Sequence, residues 1–418
     1  MKKVLILAYD FPPYNSIGGQ RPYSWYLYFK ELGVEPIVVT RHWDVEINGP
    51  EDCYLPSKNR EVSVERSELG TIVRAPFTPL LRDKLIGSTG AVSGLLRKAL
   101  TAWQMLTEHS ISSSDSRHPI YLAANEYLKN NEVDMIMATG EPFILFTQAW
   151  RLSNEFNIPW IADYRDGWST NLHLQEGMLQ RLVQKHVYRP KELKTVSTAS
   201  IITTAAPSFA KEISDVLRGK KVDVIYNGYF EEKFAGLPTS TLKSTFTIAH
   251  AGTVYPYQKV ETMINGLKLF FQLNPHTAIN LNFYGLNFQP DQLERVRSIS
   301  KALPVMFTDR MSHDKIIEEL KTCHALLLLA TPEKQQIYAK VFDYLALEKP
   351  ILLVENDKGP LEKMLADQYN TWICERPEDV ASALKQISSE PPAQDSAPSK
   401  NFSRRHQAER MAELLKRQ

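Results

Sequence analysis

The 418-residue chain has three cysteines, Cys53, Cys323 and Cys374, far apart and odd in number. They build no disulfide framework and have no metal-ligand spacing, which fits a reducing compartment. No apolar run approaches the roughly 18 residues of a membrane-spanning helix. Net charge is nearly absent, because 49 basic against 48 acidic side chains leave +1. That balance gives no ground for a polyanionic partner, nucleic acid included. Met1-Lys2-Lys3 and the apolar residues 4–8 imitate a signal peptide. The run is too short, and Asp10-Phe11-Pro12-Pro13 ends it without a small-residue cleavage site, so it reads as a first strand. What remains is an ordinary soluble composition, 43% apolar and 23% charged, long enough for two or three domains.

The most informative stretch is 333–354, EKQQIYAKVFDYLALEKPILLV. It follows an apolar strand at 323–330, opens as a polar loop, becomes a helix from about 338 to 347, and ends in a second apolar strand at 350–354. Strand, loop, helix and strand in that order make a βαβ unit. Ligands of open α/β sheets sit beyond the carboxyl ends of the strands, here at 331–340. Lys340 and Asp343 are three apart and share a helix face. A lysine at a helix N-terminus can meet a phosphate, and an aspartate one turn later can chelate vicinal ribose hydroxyls. The pair suits a nucleoside diphosphate; it suits a plain surface ion pair equally well.

The rest of the chain alternates strand and helix. The first strand runs into DFPPYNSIGGQR, Asp10 to Arg21. Its Gly18 and Gly19 would let backbone N–H groups approach an anion, although a simple turn explains them too. Residues 41–118 are the least readable. They hold a strand at 71–75, and apolar residues on helical spacing across 80–106 with Arg82, Lys84, Arg97 and Lys98 among them. Such a basic helix packs on its own domain or lies in a membrane interface. A serine-rich loop covers 110–116. Strands at 134–139 and 159–162 follow, the second delivering Asp163-Tyr164-Arg165-Asp166-Gly167-Trp168. Polar groups at the end of a buried strand must be paired or used, as an internal Arg–Asp network or as cleft residues. A long helix to 199, strands at 201–205 and 222–226, and the Asn227-Gly228 turn lead to a boundary near 231–245. The second half repeats the pattern, with strands at 246–251, 278–284, 305–308 and 371–374. A Pro/Ser-rich linker at 388–400 precedes a helix at 402–417 with Ala408, Met411, Ala412 and Leu415 on one face. That helix crosses back to the first domain or serves a partner.

The segment around Lys340 resembles the donor motif of family 4 retaining glycosyltransferases of the GT-B fold. There, two acidic residues bracket seven others before a Y-L-A-x-x-x-P run. Tyr344-Leu345-Ala346 and Pro350 keep the run, Asp343 takes the second acidic place, and Gln335 takes the first, with Glu333 two residues early. The loop from Phe11 to Arg21 resembles the family's amino-terminal loop over the donor phosphates. Asp163 to Trp168 resembles the D-x-R-D-x-W element of members in polysaccharide assembly, and Ile225 to Gly228 resembles I-x-N-G. Ala251-Gly252-Thr253 resembles the A-G-T turn, with Thr253 where the family carries an arginine. The similarity covers most of the chain outside 43–117.

The resemblance implies two doubly wound, Rossmann-like α/β domains facing a cleft. Residues 1–235, completed by helix 402–417, would be the acceptor side, and 240–390 the nucleotide-sugar side. It implies a hexosyltransferase moving sugar, with retention, from a UDP- or GDP-linked donor to a glycan or lipid-linked acceptor. No cofactor or metal would be required, in keeping with the lack of an Asp-x-Asp motif. The protein would be cytoplasmic, with a peripheral contact at the inner membrane face left open. Lys340, Arg310 and Lys259 would stabilise the departing diphosphate, and Asp166 would stand in the cleft. Gly18, Gly19, Arg21, Gly252, Thr253, Gln335, Ile337, Tyr338, Ala339 and Asp343 would complete the donor site. Two other classes stay open: a non-catalytic GT-B scaffold, made credible by Gln335 and Thr253, and a sugar-nucleotide 2-epimerase of the same fold.

Overall fold

The computed structural model describes the chain except residues 15, 48–49, 89, 108–111, 172–177, 236–240, 332–336, 367, 369, 390–396 and 418. Glu333, Gln335 and parts of the serine-rich loop, the linker and the expected boundary lie outside the described residues. The chain divides into two compact units, Met1–Tyr226 with Ala408–Gln418, and Asn227–Gln407.

The first unit is built on eight strands: β1 (Lys2–Leu7), β2 (Val34–Arg41), β3 (Ser63–Arg66), β4 (Thr71–Ala75), β5 (Met135–Gly140), β6 (Trp160–Tyr164), β7 (Ile201–Thr204) and β8 (Asp223–Val224). Their spatial order is β3-β4-β2-β1-β5-β6-β7-β8. All neighbours pair in parallel except β3 with β4. Central strands such as β1 and β5 are covered on both faces, so they read as unbroken apolar runs. β3 is a short antiparallel edge of sequence SVER, mostly exposed, and without an apolar run it gave no strand signal.

The second unit carries β9 (Phe246–Ala251), β10 (Ile279–Tyr284), β11 (Val305–Thr308), β12 (Ala325–Leu329), β13 (Ile351–Val354) and β14 (Thr371–Cys374), ordered β11-β10-β9-β12-β13-β14. Counted within the unit this is the 3-2-1-4-5-6 order of a doubly wound sheet, and it reverses between β9 and β12. The helices Val260–Leu273 and Pro377–Ser389 pack closely on one another. The contact passes through Gly266, where a Cβ would come within 2.4 Å of Val380 Cβ and 2.9 Å of the Pro377 carbonyl.

Three expectations change. The helical spacing across 80–106 is two helices, Leu81–Lys84 and Ala91–Thr107, broken around Gly87 and Gly90. The long helix to 199 is Met178–Val183, a π-turn at Gln184–Tyr188, and Arg189–Val196. The strand at 222–226 shrinks to two residues because only that much pairs with β7. The last helix, Arg404–Lys416, buries Ala408, Met411, Ala412 and Leu415, and Leu415 accepts a hydrogen bond from Lys2 Nζ at 2.9 Å. The apolar face thus belongs to the first unit, and no partner is needed to cover it. Among the described residues no helix is long and apolar enough to cross a membrane.

Gly266→Ala sets helix propensity, worth about 1 kcal/mol in alanine's favour, against overpacking of about 1–3 kcal/mol. The nearest obstacles include backbone, so we expect net destabilisation. Urea unfolding of the two proteins checks it, and a more stable alanine variant would contradict the packing.

Candidate functional site

In the second unit the site lies at the carboxyl ends of β9 and β12, where the strand order reverses. The helix Lys340–Leu347 starts there with no side chain capping its N-terminus. Lys340 projects back so that Nζ lies 3.1 Å from His250 Nε2 and donates to the Thr253 carbonyl at 3.4 Å. His250 is fully buried at the end of β9, and its Nδ1 faces the Leu327 carbonyl of β12 at 3.0 Å. Nε2 also lies 3.3 Å from the Thr253 carbonyl; a protonated Lys340 needs the Nε2 lone pair, which puts the imidazole proton on Nδ1. Burial, and then the neighbouring ammonium, lower the His250 pKa to about 3, so the imidazole is neutral. Lys340 is half-buried as a residue, but its ammonium is enclosed, and that burial lowers its pKa to about 7. No carboxylate is recorded as an ion-pair partner of Lys340 among the described residues. A cation held by neutral acceptors can receive an anion.

The neighbouring loops complete this edge. Gly252 has φ +86, which suits glycine, and it lies beside the ammonium, where a Cβ would stand in ordinary contact 3.8 Å from Lys340 Nζ. Tyr344 hydroxyl accepts from the Ala251 N–H at 3.0 Å, tying the helix to the end of β9. Tyr338 stacks with Tyr255, centroids 6.4 Å apart, and Tyr255 with Tyr257 at 5.3 Å. Asp343 Oδ2 lies 3.0 Å from His313 Nε2, on the helix that follows β11. Arg310 is exposed in the loop between them, its N–H donating to Asn287 Oδ1 at 3.2 Å. Lys259 is exposed and pairs at 3.9 Å with Glu355 Oε2, which leads the loop after β13. Ile337 is half-buried and Ala339 exposed beside Lys340.

The first unit has its own recess at the matching reversal, between β1 and β5. A cavity of about 440 Å³ is lined by Tyr9, Asp10, Arg117, Glu141, Arg165 and Trp168, among others. Trp168 stacks on Phe143 at 5.4 Å with the rings nearly coplanar in tilt, which makes one wall apolar. Arg165 donates from Nε to the Gly140 carbonyl at 3.2 Å and from Nη2 to the Glu141 carbonyl, and it pairs with Asp10 at 3.8 Å. Arg117 is anchored on Asp115, which also accepts from Gln104 Nε2 at 2.5 Å. Part of Glu141 stays open to solvent, yet crowding around its carboxyl raises the pKa. Asp166 adds to that rise, against Arg165 and Arg117. Asp166 itself is exposed and stands outside the residues that line the cavity. The recess can hold a polar ligand with one flat apolar face.

Not every residue picked from the sequence joins a recess. Arg21 is 1% exposed and makes a two-pronged ion pair with Asp163, at 2.9 and 2.7 Å, while its Nη1 donates to the Ile225 carbonyl at 2.7 Å. Thr203 Oγ1 donates to the same carboxylate at 2.6 Å. The pair is internal to the first unit, so the expected phosphate contact of Arg21 gives way to a structural one. The Gly19 N–H, expected to meet phosphate, donates to Ser16 Oγ at 2.9 Å as the cap of helix Ile17–Tyr28. Gly18 lies under the Arg165 guanidinium, in space a Cβ would need. His250, His313 and the tyrosine stack were missed. A histidine ending an apolar strand just before Ala-Gly-Thr was the available signal for the first.

No protein-family description and no curated relative matches the chain. Solved structures match it from end to end. Sucrose-phosphate synthase from Thermosynechococcus elongatus is 13% identical with a TM-score of 0.61, covering 100% of this chain and 99% of that one. The UDP-forming α,α-trehalose-phosphate synthase from Burkholderia vietnamiensis is 11% identical, TM-score 0.61, with 100% and 99% covered. Anabaena Alr3699/HepE, in complex with UDP and glucose, is 12% identical, TM-score 0.56, with 100% of both chains covered. The fold is GT-B. Two parallel-sheet units and a last helix returning to the first unit are what the GT-B reading requires.

Breaking the buried pair should be costly, since removing one partner strands the other charge. Arg21→Met should destabilise by about 3–5 kcal/mol, and Arg21→Met with Asp163→Leu by much less. Denaturant unfolding of the three proteins reads this. A single variant as stable as the parent would show that the pair is not holding the first unit together.

Proposed function

We infer that the chain is a GT-B glycosyltransferase whose second unit binds a nucleoside-diphosphate sugar through Lys340. The observation that carries the reading is the Lys340 ammonium, enclosed at the sheet's reversal point and held by His250 and the Thr253 carbonyl, with no carboxylate partner among the described residues. A leaving diphosphate would complete it. Asp343, oriented by His313, would take the ribose hydroxyls, and the Arg310 loop would frame the base. The solved structures of like fold support the donor class, since one is UDP-forming and another is in complex with UDP and glucose.

In this reading the recess of the first unit takes the acceptor, with Trp168 and Phe143 against an apolar face and Arg165, Arg117 and Asp166 toward hydroxyls. Catalysis rests on stabilising the negative charge that grows on the departing phosphate as the glycosidic bond breaks. Lys340 is the principal group, with backbone N–H groups at the start of its helix; Lys259, released from Glu355, and Arg310 are secondary. Transfer would proceed with retention to a glycan or lipid-linked acceptor in polysaccharide assembly, in the cytoplasm. The described residues hold no cluster of three metal-ligating side chains.

A thermal-shift panel with UDP, GDP, ADP, dTDP and CMP tests the donor site first. A ligand at a hundred times its dissociation constant should add about 2.7 kcal/mol, and silence from every nucleotide would favour a non-catalytic scaffold. Lys340→Met should sharply reduce the shift without lowering the melting temperature of the free protein, since it removes a buried ammonium whose enclosure costs stability at neutral pH.

The pH dependence gives a sharper reading. Because the free site holds Lys340 near pKa 7, binding a diphosphate must draw a proton onto it at higher pH. Affinity should therefore fall between pH 7 and 9, by up to about tenfold per unit, and Lys340→Met should lose that slope. Stability of the unliganded protein moves the other way. The unfolded chain binds the extra proton between about 7 and 10.5, so the Lys340 contribution to stability rises with pH across that window. Titration of nucleotide binding by calorimetry checks the first, and a flat profile in the parent protein would remove Lys340 from the site.

A further inference from the structure

The helix Ala91–Thr107 of the first unit is inside out. Its 17 residues include only one that is buried, and that one is Gln104. Val92, Leu95, Leu96, Trp103 and Leu106 are exposed, Val92 by 82% and Trp103 by 59%. With Ala99 they fall at i, i+3, i+4, i+7, i+11 and i+14, one continuous stripe on an α-helix. The polar residues face inward: Gln104 donates to Asp115, and Thr101 Oγ1 accepts from Arg82 Nε at 3.2 Å. Thr101, Gln104 and Met105 line the recess described above, so the helix is a wall of that cavity with its apolar side turned outward. Leu80 and Leu81, exposed just before it, extend the apolar surface.

Core packing cannot account for a stripe that points away from the core, and contiguous apolar surface of this size marks an interaction site. Charge selects the occupant. Residues 81–107 carry four basic side chains, Arg82, Lys84, Arg97 and Lys98, and a single acid, Asp83. Asp83 is buried and paired with Arg82 at 3.1 Å, whereas Lys84 and Lys98 are exposed. Exposed leucines and a tryptophan flanked by lysines, with no exposed acid between, match the acyl boundary and anionic headgroups of a bilayer. We propose that Ala91–Thr107, with Leu80 and Leu81, lies in the interface of an anionic membrane and brings the mouth of the first-unit recess to its surface. A ligand entering there would come from the lipid side. The inference is independent of the donor reading, which concerns the second unit.

Flotation of the full chain with vesicles tests it, using phosphatidylcholine alone and with about one-third phosphatidylglycerol. The protein should float with the anionic vesicles. Leu95→Glu with Trp103→Glu should lower the bound fraction at least tenfold while preserving the melting temperature and any nucleotide response in solution. Lys84→Gln with Lys98→Gln should weaken binding to the anionic vesicles only. Should the glutamates lower the melting temperature, Leu95→Ser with Leu106→Ser carries the same expectation with a milder change. A parent protein that stays in solution with both vesicles, or variants that float like the parent, would overturn the proposal. So would a monomer–dimer shift in the variants without lipid dependence, since that would make the face an interface between copies.

Discussion

The structure depends on parallel strands covered on both faces, because such strands leave only their ends for polar chemistry. Where the strand order reverses, neighbouring loops diverge and a crevice opens. The chain does this twice, between β1 and β5 and between β9 and β12, and both recesses sit at those points. Charges placed there cannot reach bulk water freely. Each must find a partner in the protein or keep a place for one outside it.

The two units solve that problem differently. In the first, Arg21 and Asp163 neutralise each other completely, with Thr203 and the Ile225 carbonyl using the remaining capacity. Such a pair gives little net stability over an apolar one, but neither charge can leave without large cost. It ties the helix Ile17–Tyr28 to the end of β6 and to the Ile225 backbone. In the second unit Lys340 meets, among the described residues, a neutral imidazole and a carbonyl, which orient the ammonium without cancelling its charge. Burial of the ammonium lowers its pKa to about 7. A phosphate would supply the cancelling charge, and the proton affinity of the lysine would rise as the ligand arrived. In the proposed donor site, positioning by neutral groups is what would make Lys340 responsive to an anion.

Much of this could be read from the residues. Apolar runs such as those of β9, β12 and β13 identify buried strands without any tertiary information, since a run covered on both faces has no polar alternation to hide it. The Lys340–Asp343 spacing likewise places both on one side of a helix, and the face of the final helix carrying Ala408, Met411, Ala412 and Leu415 is the one that is buried. The edge strand β3, with one apolar residue in four, and the π-turn at Gln184–Tyr188 left no periodic signal to find. The helix Ala91–Thr107 shows the reverse failure. Its apolar periodicity is plain, but periodicity gives a stripe and not the direction in which it points.

Local pattern determined the α/β class, the succession of strands and helices, and the candidate cation at the head of the helix after β12, because those follow from which residues neighbour one another along the chain. Only the tertiary structure decided what each charge would meet. Arg21 and Lys340 are both basic residues near the start of a helix that follows a buried strand, and the sequence treats them alike. One lies across from Asp163, 142 positions away, and is neutralised; the other lies across from His250, 90 positions away, and meets no carboxylate among the described residues. The difference is a matter of long-range contact, and electrostatic roles in a folded chain are settled by partners that spacing does not reveal.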